Sequence, residues 1–394
     1  MGAAFAEPAP AFRELLQQAQ ATAPRLAEAR AEIARAEGLA VQARARPNPT
    51  VGLEVENFSA SNGLSFAETT ASIEQTLELG GKRSARVSAG RAEVEAARSR
   101  ATRAQADYAF DLAAAYAEAE GAERRLLLAT DSLDLAQEDA RIAGVLVDAG
   151  READLRRVQA RAAVQAARAA VDEARAARAT AFSNLTALVG APAPFTSVPI
   201  SLLDEAARVF PAPNPDPLKS PAYLAAAAER EAAARRIRVE QAQAVPDVSV
   251  SFGVRRFQED RATAMTAGVS VPFPIFDRNR GNISAARAEL SAADARLKAA
   301  RLDAEAAARS GLARVTAAES RLIAAREGER TADEAYRLTR IGYEGGKLDL
   351  VELLNARRSL TEARTQNIEA ATERLSAQAA LARLAGATPL GDQP

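Results

Sequence analysis

The eighteen prolines of this 394-residue chain avoid two long stretches: none lies between Pro49 and Pro192, and none between Pro274 and Pro389. A proline inside a helix removes a hydrogen bond and clashes with the preceding turn, costing ~3 kcal/mol or more. Both stretches are therefore free to form helices far longer than the usual three turns. Each is rich in alanine and interspersed charge, and each is interrupted by glycine, at Gly150 and at Gly345-Gly346. The pattern predicts two very long helical hairpins. Each outgoing helix has more than about sixty residues and would extend on the order of 90–100 Å.

The two hairpins are copies. RIAGVLVDAGREADLRRVQAR (Arg141 to Arg161) and YRLTRIGYEGGKLDLVELLNAR (Tyr336 to Arg357) align when Gly150 is set on Gly346. Arg151 then meets Lys347, Leu155 meets Val351, Val158 meets Leu354, Gln159 meets Asn355 and Arg161 meets Arg357. Helix, glycine break, helix is the way an αα-hairpin reverses direction.

Upstream of each hairpin the same parts recur. A helix over about Pro24–Ala45 is followed by TVGLEVENF (Thr50 to Phe58), the polar turn SASNG and ETTASIEQTLEL (Glu68 to Leu79). In the second half a helix over Pro221–Ala244 precedes VSVSFGV (Val248 to Val254), the loop RRFQEDRAT and AGVSVPFPIF (Ala267 to Phe276). The short segments alternate apolar and polar residues, the two-residue period of a strand with one face buried or in lipid. The domain plan is a tail (1–10), a first repeat (11–195), a proline-rich linker (196–220), a second repeat (221–388) and a C-terminal tail (389–394). The seam of each long arm is expected at Leu112, Tyr116, Leu126 and Leu133, and at Leu290, Leu297, Leu312, Leu322 and Tyr336.

Composition removes most other functions. Lys and Arg number 51 against 52 Asp and Glu, interspersed rather than segregated, which argues against a nucleic-acid binder. His and Cys are absent and Met occurs twice, so a soft metal site, a disulfide framework and most nucleophilic or acid–base catalysis lack their residues. No enzyme, no cofactor and no metal site are expected. The run Ala179 to Leu203 is uncharged throughout but contains Pro192, Pro194 and Pro199, so it cannot cross a membrane as a helix. Any crossing must use strands. Ala4-Phe5-Ala6 resembles the end of a signal peptide, but the apolar region that would precede it lies upstream of this sequence if anywhere.

Four strands of about eight to eleven residues suit a tilted membrane sheet. In lipid such a sheet must close, and about eight strands is the practical minimum. Two copies would supply eight and three would supply twelve. The larger number leaves an open lumen, so a homotrimer is expected, with Glu54, Glu56, Glu74 and Glu78 facing that lumen and Arg255 among them.

The ordered set resembles the TolC family of outer-membrane efflux channels over about Ala11 to Ala385. RPNPTVGLEVEN, ETTASIEQTLELGGKR and VSVPFPIFDRNRGN are most similar to its CzcC-like, heavy-metal-exporting branch. The resemblance implies a mainly α chain with a membrane β part. Three copies would form a twelve-stranded barrel in the outer membrane of a Gram-negative bacterium and a helical tunnel in the periplasm. The channel would be passive, working with a periplasmic adaptor and an inner-membrane RND-type pump. Carried over by position, the adaptor-docking tips are Ala149, Gly150 and Arg151 with Gly345, Gly346 and Lys347. The constriction positions are Glu352 and Asn355, with Arg156 and Gln159 in the other hairpin; pairing of Arg156 with Glu352 is expected to replace the family's closing salt bridge. A channel for drugs or secreted polypeptide remains an alternative cargo reading, and a soluble coiled-coil scaffold an alternative class.

Overall fold

The computed structural model describes residues 7–58, 64, 66–206 and 215–389. The signal-like Ala4-Phe5-Ala6, the SASNG turn, residues 207–214 of the linker and the last five residues lie outside the described residues.

Element order follows the duplication. The first half contains α1 (Phe12–Thr22), α2 (Pro24–Gln42), β1 (Thr50–Glu56), β2 (Glu68–Leu77), α3 (Lys82–Asp148) and α4 (Asp154–Val189). After α5 (Leu202–Ala206) and a 3-10 turn (Pro217–Lys219) come α6 (Pro221–Gln243), β3 (Val248–Phe257), β4 (Thr263–Ser270), α7 (Arg280–Glu344) and α8 (Leu350–Ala385). The outgoing helices have 67 and 65 residues, as the proline-free tracts require, and both returning helices have 36. Gly190 and Gly386, also 196 positions apart, end them in the same left-handed cap.

Contacts divide the chain into two units that each draw on both halves. One comprises Met1–Ala29, Thr102–Ala222 and Arg301–Pro394; the other comprises Arg30–Ala101 and Tyr223–Ala300. In the first, Tyr108, Leu112 and Tyr116 of α3 meet Phe182 and Leu185 of α4, Leu322 of α7 and Leu375 of α8. Helix α1, which periodicity alone did not reveal, adds Phe12, Leu15 and Leu16, and the Phe12 ring stands edge-on to Tyr116 at 6.0 Å. The Tyr116 hydroxyl donates to the carbonyls of Pro10 (3.2 Å) and Ile200 (3.3 Å). The proline-rich connection is anchored too. Leu202 and Leu203 are buried, and Glu120 of α3 accepts from both their amides, from Ser201 Oγ and from Arg124. A buried carboxylate is tolerable because four donors replace its water.

The expected seam is buried at Leu112, Tyr116, Leu322 and Tyr336, whereas Leu312 is exposed. The second unit carries a small alanine-rich contact of Ala36, Val94 and Ala97, and the sheet.

The strand limits of the second half differ from those expected. β3 runs on to Phe257 and β4 ends at Ser270, before Pro272 and Pro274. Arg255 and Arg256 pair with Ala264 and Thr263, so the hairpin is tighter than the loop read from composition. The prolines have no N–H to donate and stop the ladder, although Val271, Phe273 and Ile275 continue the alternation.

Leu185 is fully buried between helices. Leu185→Ala is expected to cost about 2–5 kcal/mol in denaturant unfolding of the purified protein; a loss below about 1 kcal/mol would mean that this core is not what holds the helices together.

Candidate channel wall and hairpin tips

The sheet of the second unit has strand order β1-β2-β3-β4, antiparallel throughout, with the two halves joined by the β2–β3 pair. Registers place Gly52, Ser72, Gly253 and Thr266 in one row across all four strands, and Thr50, Glu74, Ser251 and Gly268 in the next. Strand alternation then puts Glu54, Glu56, Glu68, Glu74 and Arg255 on this polar face. The other face carries Val51, Leu53, Ile73, Phe252, Val254, Met265 and Val269, all exposed; Val51 is 79% and Met265 90% exposed. Burying none of this surface in the single chain is the decisive property of the sheet. Its outer strands β1 and β4 also each have one edge without a strand partner.

Arg255 ties the polar face together. It makes ion pairs with Glu56 of β1 and Glu68 of β2, each at 3.0 Å, and its Nε donates to Thr70 Oγ1 at 2.9 Å. Asn57 donates to the other oxygen of Glu68. Glu54 and Glu74 have no cation among the described residues. Four carboxylates against one guanidinium leave the wall acidic. Two assignments change. Glu78 lies beyond the end of β2 and takes Arg86 of α3 as its partner, outside the paired strands, whereas Glu68, absent from the expected set, lies on the polar face.

The tips belong to the first unit and repeat each other bond for bond. Amides of Ala149, Gly150 and Arg151 donate to the carbonyls of Val145, Val147 and Leu146. Amides of Gly345, Gly346 and Lys347 donate to those of Ile341, Tyr343 and Gly342. Gly150 and Gly346 both have φ of 69°, the left-handed conformation that a side chain resists. A Cβ at Gly150 would meet open space, whereas one at Gly346 would lie 2.6 Å from the Arg151 guanidinium, which the second tip brings beside the first. All six expected tip residues are exposed.

Behind the tips, Tyr336, Tyr343, Leu350, Leu353 and Leu360 form a small core with Ala143 and Ala160. Asp139, 1% exposed, sits in it and accepts from Arg357 at 2.9 Å and, at 3.4 Å, from the Tyr336 hydroxyl. Burial pushes the Asp139 carboxyl above the usual carboxylate range despite the pull of Arg357, and burial beside Asp139 lifts the Tyr336 hydroxyl to about 12. The Tyr343 hydroxyl, also raised to about 12 by burial and then by Glu152, has no hydrogen-bond partner.

The constriction residues are placed differently from expectation. Arg156 pairs with Asp349 at 2.7 Å, with Glu152 more distantly, and donates to Gln159 at 3.2 Å; it does not pair with Glu352. Asp349 precedes α8 in extended conformation and reaches across to the neighbouring hairpin, while Glu352 lies in the first turn of α8. Glu352 and Asn355 are exposed, and Glu352 has no ion pair among the described residues. At the first tip Arg157 pairs with Asp148 at 2.6 Å, across the break between helices.

The model of the outer membrane efflux protein family matches residues 15–191 and 218–387, both repeats and nearly the whole described chain. The chain belongs to this family. It is 45% identical over 280 residues to the nickel and cobalt resistance protein CnrC of Cupriavidus metallidurans, covering 71% of this chain and 67% of that protein. To the cobalt-zinc-cadmium resistance protein CzcC of the same organism it is 31% identical over 368 residues, 92% of this chain and 86% of the relative. A membrane protein of Pseudomonas aeruginosa has the same fold, with TM-score 0.80 at 22% identity over 98% of this chain and 92% of that one. The TolC-like fold and the CzcC-like branch read from the residues are both borne out.

The buried Asp139 gives a pH-dependent prediction. Removing its cation with Arg357→Ala is expected to destabilise the protein by about 3–5 kcal/mol at pH 8. The folded-state pKa of Asp139 then rises further, so the penalty shrinks as the pH falls through it. Unfolding curves at pH 8 and pH 5 check this; a penalty that grows on acidification would contradict the burial argument.

Proposed function

We propose that this chain is the outer-membrane channel of a tripartite efflux system exporting heavy-metal cations. Three copies pool their strands into a twelve-stranded barrel and extend their hairpins into the periplasm. The observation that carries the reading is the sheet: an exposed apolar face, an acidic opposite face and two open edges, on a chain with no helix apolar enough to cross a membrane among the described residues. An apolar face left in water would be an aggregation hazard, and in lipid it is the stable arrangement. Open edges in lipid would leave N–H and C=O groups unsatisfied at several kcal/mol each, so copies must supply the missing strands.

The relatives' names, which specify nickel, cobalt, zinc and cadmium resistance, support divalent cations as cargo. The acidic wall suits them: fixed carboxylates raise the local cation concentration without forming a tight site. Among the described residues no cluster could hold a metal ion, which fits conduction better than storage. The channel does no chemistry; an inner-membrane RND-type pump supplies the energy, and a periplasmic adaptor docks on the paired tips at Gly150 and Gly346. Three copies of Glu352, each without an ion pair among the described residues, form a cation-favouring ring near the tunnel mouth beside Asn355, while Arg156 is engaged with Asp349 and with Gln159.

In a deletion strain, the gene should restore growth in nickel or cobalt but not in hydrophobic drugs; the reverse pattern would overturn the cargo. Replacing both tip glycines by Val should abolish resistance while leaving trimer assembly intact, and unchanged resistance would remove the docking role. In planar bilayers Glu352→Ala is expected to lower the cation-over-anion permeability ratio, and an unchanged ratio would leave Glu352 as ordinary surface.

A further inference from the structure

All four connections between sheet and helices leave the same end of the sheet, the end marked by Thr50, Leu77, Val248 and Ser270. The chemistry of this end differs from that of the other. Five arginines gather in these connections or at the first residues of the helices: Arg44 and Arg46 after α2, Arg83 in α3, and Arg278 and Arg280 after β4. All five are exposed, and none has a carboxylate partner among the described residues. The neighbouring acids are occupied. Glu78 takes Arg86, Asp247 takes Lys82, Glu240 accepts from Asn279, and Asp277 accepts from the Asn279 amide. The opposite end, by contrast, holds Glu56 and Glu68 with Arg255.

Immediately beside these arginines, the segment after β4 exposes Val271, Phe273, Ile275 and Phe276, the last at 98%. In sequence, Val271, Phe273 and Ile275 prolong the alternation of Met265, Ala267 and Val269; the chain has left the strand here and the Ile275 amide turns back to the Phe273 carbonyl, with all three side chains exposed. Pro272 and Pro274 end the ladder here, and the side chains beyond it remain displayed. Apolar surface ending in phenylalanines, with guanidinium groups just beyond that have no carboxylate partner among the described residues, matches the border between acyl chains and headgroups.

We propose that this end of the sheet is a binding site for anionic phospholipid. The Phe273 and Phe276 side chains reach into the acyl chains at the periplasmic border of the barrel, and Arg46, Arg278 and Arg280, with Arg44 and Arg83 behind, hold the phosphates. Lipid is the occupant because the basic groups adjoin exposed apolar side chains; a soluble anion would make no use of the phenylalanines. The inference rests on the outer-membrane channel reading and adds to it a lipid class and the residues that select it.

The test is native mass spectrometry of the detergent-purified full chain titrated with phosphatidylglycerol or phosphatidylcholine, alongside insertion into vesicles of each lipid. The wild type should retain phosphatidylglycerol preferentially. Arg46→Gln with Arg278→Gln and Arg280→Gln should lower that preference by at least about tenfold, while Phe273→Ser with Phe276→Ser should weaken both lipids. Retention of the preference in the glutamine variant would overturn the proposal, as would displacement of the lipid by glycerol phosphate at equal concentration. Equal binding of the two lipids by a wild type that enters vesicles would also overturn it and leave the channel reading standing. A wild type that enters neither kind of vesicle would instead remove the channel reading itself.

Discussion

Backbone amides and carbonyls cannot go unpaired inside hydrocarbon, and this requirement dictates how the rest of the molecule is used. Four strands satisfy one another at three interfaces and leave the edges of β1 and β4 open. One copy is therefore an incomplete object in a bilayer, and the exposed apolar face excludes water as its resting place. In the proposed assembly, pooled copies resolve both problems at once and the acidic face becomes an inner wall.

Duplication makes that design inexpensive to encode. Each half supplies two strands and one hairpin, and the halves meet at the β2–β3 pair. The tips show how strict the copy is, with the same three backbone bonds, the same φ at the glycine and returning helices of equal length. The polar positions around that shared backbone have diverged. One tip ties Asp148 to Arg157, while Asp349 of the other reaches over to Arg156. The backbone frame has been kept symmetric and the charges have been allowed to specialise.

Much of this is legible in the residues because its causes are local. Missing prolines announce the long helices, and paired glycines announce the tips. Alternation reveals the strands but not their ends: Phe273 and Ile275 keep the two-residue period after Pro272 and Pro274 have stopped the hydrogen bonding, so the pattern alone places β4 further along the chain than it lies. Long-range pairings were hidden. Asp139 and Arg357 each look like one more solvated charge on an alanine-rich helix, and only the packed hairpins bring them together. For Arg156, the resemblance points to the other hairpin but to Glu352, whereas the partner is Asp349, in the extended residue before α8. Glu68 was missed and Glu78 wrongly included for a related reason, since the edge of a strand decides which acids share its face.

The absence of cysteine from the chain makes the central claim directly measurable. A cysteine on the outer face of β1, Leu53→Cys, can be combined in turn with Met265→Cys, Ala267→Cys or Val269→Cys on β4 and oxidised in the native membrane. Pooled strands predict that at least one register gives covalent dimers and trimers, with the ladder ending at three copies. Monomers at every register, from a chain that stays in the aqueous fraction, would contradict the account.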